Sequence, residues 1–153
     1  MTQPFSLTAD SIKPVAGMYA YMPNKPQIHN AIVGGSSAVV AGAFVKLDAT
    51  STNTVCPVVV PATATDKPFG VVAYDVRVAS NAVGTKVAVA QSGDVVYLPC
   101  ASAVVAGAKL QFNPATGKVD DTTTSGNAYV GIALTKGSAD GDLIQVELNF
   151  DLA

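Results

Sequence analysis

Charge is what this sequence lacks most. Only 13% of its 153 residues are Asp, Glu, Lys or Arg, about half the usual share of roughly 25%. It also has no Trp, one His, one Arg and two Cys, and each shortage excludes something. A Ser-His-Asp or Cys-His triad would have to use His29, and no nucleophile elbow stands anywhere in the chain. One His and two scattered cysteines cannot build a zinc set, and the C-terminal Asp residues lack the spacing of a calcium loop. Arg77 alone is a poor basis for a bidentate phosphate clamp, and no GxxxxGK[ST] or GxGxxG follows a strand. With 9 basic residues against 11 acidic ones, the basic excess of a nucleic-acid binder is missing. Five Tyr and five Phe are too scattered for a base-stacking platform.

Long apolar runs are absent too. The longest uncharged stretch, between Lys25 and Lys46, is broken by Pro26, His29, Asn30 and Gly34-Gly35, so no membrane span is expected. The N-terminus shows neither the basic n-region nor the apolar core of a signal peptide. Synthesis in a reducing cytoplasm is therefore expected, with Cys56 and Cys100 free rather than paired.

What is present is small and β-branched. Apolar residues make up 49%, with 24 Ala and 23 Val against 8 Leu and 5 Ile. That excludes a disordered chain and a coiled coil. The length suits a single domain large enough to need no staple. The pattern is all-β, in the style of sandwiches and barrels, with Pro or Gly every few residues. Residues 144–152 alternate apolar and polar without a break. Lys86–Gln91 and Asp94–Leu98 read as strands either side of Ser92-Gly93, and Val58–Val60 and Phe69–Ala73 as shorter ones. Asn113–Lys118 reads as a tight turn joining strands at 109–113 and 118–120.

The chain also echoes itself. Residues 37–43 and 102–108 are the same seven, Ser-Ala-Val-Val-Ala-Gly-Ala, and a strand follows each copy. Aligning them pairs Val45 with Leu110 and Leu47 with Phe112 as inward positions. Phe44 with Lys109, and Lys46 with Gln111, become outward ones. Related segments recur at 68–73 and 128–133, and at 93–96 and 141–144, which points to a diverged internal duplication within one fold.

The first 35 residues differ from the rest. They hold four of the nine prolines (Pro4, Pro14, Pro23, Pro26) and all three Met. Residues 1–26 read either as an extended N-terminal arm or as edge structure wrapped on the chain's own domain. The division expected is an arm and first strand or strands over 1–35, followed by a β-barrel domain over 36–153. Candidate contact residues are Phe5, Leu7, Ile12, Val15, Met18, Tyr19 and Tyr21 on the arm and the outward Phe44. Deleting residues 1–17 is expected to leave a folded protein.

From Gly70 onward the order of motifs is specific. Gly70–Ala73 is followed by Gly93–Pro99, Val105–Leu110, Asn113–Val119, a Thr/Ser-rich link at 122–127, Val130–Leu134 and Gly141–Leu148. This order resembles the capsid cement, or head decoration, proteins of tailed bacteriophages. Ala108 departs from the family pattern, which usually has Asp after Ala-Gly. The resemblance implies a small antiparallel β-barrel or β-tulip-like domain, without catalysis or cofactor. It implies homotrimers on the capsid exterior that clamp neighbouring major capsid protein subunits against internal DNA pressure, with no direct contact to nucleic acid or membrane. The alternative is a head-fibre or carbohydrate- or receptor-binding β module. Gly70–Asp75 superficially resembles a motif of trimeric dUTP-hydrolysing enzymes, but Ala73 stands where their essential Asp belongs.

Overall fold

The computed structural model describes residues 14–20 and 29–153. Among these residues there are ten strands and no helix. Five strands form a closed barrel: β1 (His29–Val33), β2 (Phe44–Leu47), β3 (Val58–Pro61), β4 (Gly70–Val72) and β5 (Lys86–Ala90). The other five form a second sheet: β6 (Val95–Pro99), β7 (Lys109–Asn113), β8 (Lys118–Asp120), β9 (Tyr129–Ala133) and β10 (Leu143–Leu148). The all-β expectation holds, and the strands fall where Val-rich segments meet turn residues. The turn after β7 also forms as expected: the Asn113 carbonyl accepts from the Gly117 amide at 2.8 Å, and Gly117 takes a φ of 69°.

The two halves share one topology. Around the barrel the order is β3-β2-β4-β5-β1, and across the sheet it is β8-β7-β9-β10-β6. Substituting each strand by the one five places later converts the first order into the second. The barrel closes because β1 runs antiparallel to β5 on one side and parallel to β3 on the other. The sheet almost closes the same way, through a single parallel bridge between Cys100, just past β6, and Val119 of β8. The heptad copies sit at equivalent places. Val39 and Val104 are buried, and each makes two backbone hydrogen bonds, with Asn81 and Gly137 respectively. The Gly42 amide bonds the Val72 carbonyl at 2.8 Å, and the Gly107 amide the Ala133 carbonyl at 2.7 Å. Gly70 and Gly131 also correspond. A Cβ on either would stand 2.4 or 2.3 Å from a carbonyl oxygen of the neighbouring strand, Ala90 or Glu147, so a side chain is excluded at both.

Lys86–Gln91 and Asp94–Leu98 do form strands either side of Ser92-Gly93, in different halves: β5 completes the barrel, and β6 pairs with β10 across the sheet. The turn between them is where the chain passes from one half to the other. Several expectations are corrected. Phe44 does point out of the barrel, opposite Val45, but it does not reach solvent. It is 4% exposed and stacks on Phe112 with ring centroids 4.4 Å apart. The outer face of the barrel here is the seam between the halves, where Phe44, Ala62, Val71 and Ala90 join the sheet's Leu98, Leu110, Phe112, Ile144 and Val146 in one core. The barrel's own interior is a smaller cluster of Ala31, Val33, Val39, Val45, Val59, Val72, Val87 and Val89. Leu47, expected inward, is 52% exposed because β2 ends there, at the rim of the barrel.

Gln111 is the other reversal, expected outward and found 5% exposed. Its side-chain nitrogen donates to the Thr124 and Asn127 carbonyls at 3.2 Å each, and its oxygen accepts from the Thr124 amide at 2.8 Å. These three bonds tie β7 to the β8–β9 loop. Lys46, the matching residue in β2, ties the matching β3–β4 loop with an ion pair to Asp66 at 2.8 Å. That lysine, with two further bonds from Thr63, holds the Asp66 carboxyl down at about 2.

Candidate functional site

The residues that could carry chemistry are dispersed. Among the described residues no three of His, Cys, Asp and Glu are close enough to hold a metal ion. His29 opens β1 opposite Val89, half-buried. Cys56 and Cys100 are both free and lie in different halves. Burial, then the nearby Asp142 charge, pushes the Cys100 thiol up, which keeps it protonated and poorly nucleophilic. Arg77 is committed to Asp75 through two side-chain hydrogen bonds at 3.1 Å. What the arrangement offers instead is surface. The candidate contact residues lie in the N-terminal segment and among the exposed apolar side chains.

The described part of the N-terminal segment is seated on the body. Tyr19 forms an antiparallel bridge with Val96 of β6. The Gly17 amide donates to the Tyr97 carbonyl at 2.9 Å, the Tyr97 amide to the Met18 carbonyl at 2.8 Å, and the Ala20 amide to the Val95 carbonyl at 2.9 Å. These residues occupy the part of the β6 edge that β8 does not reach. Tyr19 packs on the core, where burial and then the Asp94 charge raise its phenol pKa. Of the expected contact residues, Val15 is exposed, Met18 and Tyr19 are half-buried and Phe44 lies in the seam. Phe5, Leu7, Ile12 and Tyr21 lie outside the described residues. Gly17 also accepts a bond from the Tyr74 amide at 3.0 Å, so a deletion through residue 17 would cut into the folded body. β1 likewise belongs to the barrel, as its closing strand.

The exposed apolar side chains come from loops that sequence reading passed over. Val76 and Val55 are 81% and 93% exposed. Val76 belongs, with Tyr74, Val78 and Val83, to the loop joining β4 to β5. Val55 lies in the β2–β3 loop, and a shallow depression there runs from Leu47 to Val58. Val40 and Val105 are exposed at matching positions in the two heptads. A usable signal existed for Val76: it stands between Asp75 and Arg77, so an apolar residue is flanked by a charge on each side.

The family model described as structural cement protein (E217 gp24/Pam3 gp6) matches residues 7–149. This chain belongs to the phage structural cement protein family. No curated protein matches it. Among solved structures it resembles the head fiber gp8.5 N base of bacteriophage phi29, with a TM-score of 0.53 and 18% identity over 78% of this chain and 91% of that one. At that identity the likeness concerns the fold. As a cement-family member the chain is a structural protein of the phage head, associated with the capsid.

Proposed function

We propose that this cement-family protein binds the outer surface of the phage head as a homotrimer. There it clamps neighbouring major capsid protein subunits against internal DNA pressure, after synthesis in the host cytoplasm. The family match over residues 7–149 carries the reading. The surface supports it: Val40, Val55, Val76 and Val105 are exposed single apolar residues, spread over turns and loops rather than gathered in one pocket. Such a distribution suits several small contacts to a lattice, which together can reach the roughly 1,200–2,000 Å² of a specific interface. Phe5, Leu7 and Ile12 are further contact residues of this reading. A head-fibre base is the second reading, favoured by the fold likeness to the phi29 head fiber base.

The test is to add purified protein to expanded heads that lack it. Heads saturated with the protein should retain their DNA to a higher temperature than bare heads. Unchanged DNA release despite binding would overturn the clamp. Sedimentation of the free protein should give a trimer, and a monomer at micromolar concentration would overturn that part.

A further inference from the structure

The two copies of Ser-Ala-Val-Val-Ala-Gly-Ala fold alike but are not covered alike. On the first, the N-terminal segment lies against the turn. A Cβ on Gly42 would stand 2.8 Å from the Ala16 Cβ, and a Cβ on Gly17 would stand 2.6 Å from the Gly42 nitrogen. The Gly17 carbonyl accepts from the Tyr74 amide at 3.0 Å, and Gly42 is buried with Ala41 half-buried beside it. On the second turn, Ala106 and Gly107 are exposed, and a Cβ on Gly107 would meet nothing within 4 Å.

The register fixes the matching donor. The Ala73 amide bonds the Ala88 carbonyl at 2.9 Å, and the Leu134 amide bonds the Gln145 carbonyl at 2.8 Å, so Thr135 stands where Tyr74 stands. Among the described residues the Thr135 amide has no partner. Val105 and Leu134, 66% and 40% exposed, flank this open position. The second turn thus has the backbone shape, the spare amide and the apolar flanks of a seat that the first turn shows filled.

We propose that the Val105–Ala108 turn, with Leu134 and the Thr135 amide, is a docking seat for a tight turn of the major capsid protein carrying small residues, held as the Ala16-Gly17 turn is held on the first turn. The occupant is a foreign chain because this chain's own Gly17–Ala20 is already engaged. To fill the seat from a second copy, that copy would give up its four bonds to Tyr74, Val95 and Tyr97. A capsid segment gives up none of these. Only small residues fit so close to the turn. The carbonyl that meets Tyr74 comes from Gly17, at φ 77° in a turn closed by the Met18 amide on the Val15 carbonyl at 3.1 Å, so the occupant needs the same tight turn to reach Thr135. The inference deepens the cement reading and rests on it.

Two measurements test it on heads lacking the protein. The Val105→Asp/Leu134→Asp double variant changes exposed side chains only, so it should melt within a few degrees of the unaltered protein while binding heads at least about tenfold more weakly. Ala115→Asp, an acidic change at an exposed position of the β7–β8 turn outside the contact residues, should weaken binding less than about twofold. Unimpaired binding by the double variant overturns the seat and leaves the cement reading standing. Failure of the unaltered protein to bind overturns the cement reading itself. A photo-crosslinking residue replacing Ala106 should join the capsid protein in assembled heads. A crosslink to a second copy, or to residues 1–13 of the same chain, overturns the choice of occupant.

Discussion

β2 and β7 begin after the same seven residues, and the barrel and the sheet around them keep the same strand order, yet the two halves meet water differently. The barrel buries its own interior with Ala and Val and then offers its outer face, through Phe44 and Val71, to the sheet. The sheet, closed to β8 only by the Cys100–Val119 bridge, uses its larger residues, Leu98, Leu110, Phe112 and Ile144, to receive that face. One arrangement of strands thus yields a self-contained barrel and a nearly closed sheet that is completed by its neighbour. Small residues suffice where a barrel is narrow; a sheet that packs on a second body needs larger ones. Charge divides the same way. Residues 29–91 carry four basic and three acidic side chains, and residues 92–153 three basic and seven acidic.

The comparison breaks most completely at the seam. Phe44→Ala removes a 4% exposed ring stacked at 4.4 Å on Phe112, and should cost about 3–5 kcal/mol. Since Phe44 is the largest barrel residue in the shared core, its loss should also loosen the coupling between halves. Denaturant unfolding followed by separate probes in each half should then give non-coincident transitions. A single coincident transition at nearly unchanged midpoint would mean that the seam is not where the halves are joined.

The two glycine turns sharpen the comparison next. Gly42 and Gly107 have φ of 83° and 89°, so Ala at either is strained by about 1–2 kcal/mol. At Gly42 the added methyl also meets the Ala16 Cβ at 2.8 Å, whereas at Gly107 it meets open space. Gly42→Ala should therefore lower the melting temperature clearly more than Gly107→Ala. Equal losses would show that the N-terminal segment contributes nothing at the first turn.

Much of this architecture was legible in the chain. Period-2 alternation located β10, the Asn113–Gly117 turn marked the β7–β8 hairpin, and the repeated heptad led to two places with the same hydrogen bonds. Alternation reports the two faces of a strand, but it does not say what lies beyond each face. That is why Phe44 reads as outward and is outward from its barrel, yet is buried by the other half. Gln111 misleads for a related reason. β7 has an irregular register between Leu110 and Gln111, and the β8–β9 loop folds over the side that polarity assigns to water. An exposed valine such as Val55 looks like a core residue by type, and only its setting in a long loop separates it.

The smallest effect separates the two loop ties. Gln111→Ala should leave the Thr124 amide and the Thr124 and Asn127 carbonyls without their partner in a partly buried place, at about 1 kcal/mol. That loss should be insensitive to pH and salt, because no charge is involved. The matching pair, Lys46 with Asp66, is partly exposed, so Lys46→Ala should cost less than about 1 kcal/mol. Its signature is pH. The Asp66 carboxyl is held at about 2 in the folded protein, against about 3.9 when unfolded. A lowered folded value means the contribution is whole above about pH 4 and fades as pH falls toward 2. The stability difference between the unaltered protein and Asp66→Asn should therefore shrink across that window in thermal melts at low salt, while the Gln111→Ala difference stays constant. If both differences move together with pH, the two ties are not the ionic and neutral versions of one contact, and the match between β2 and β7 ends at their backbones.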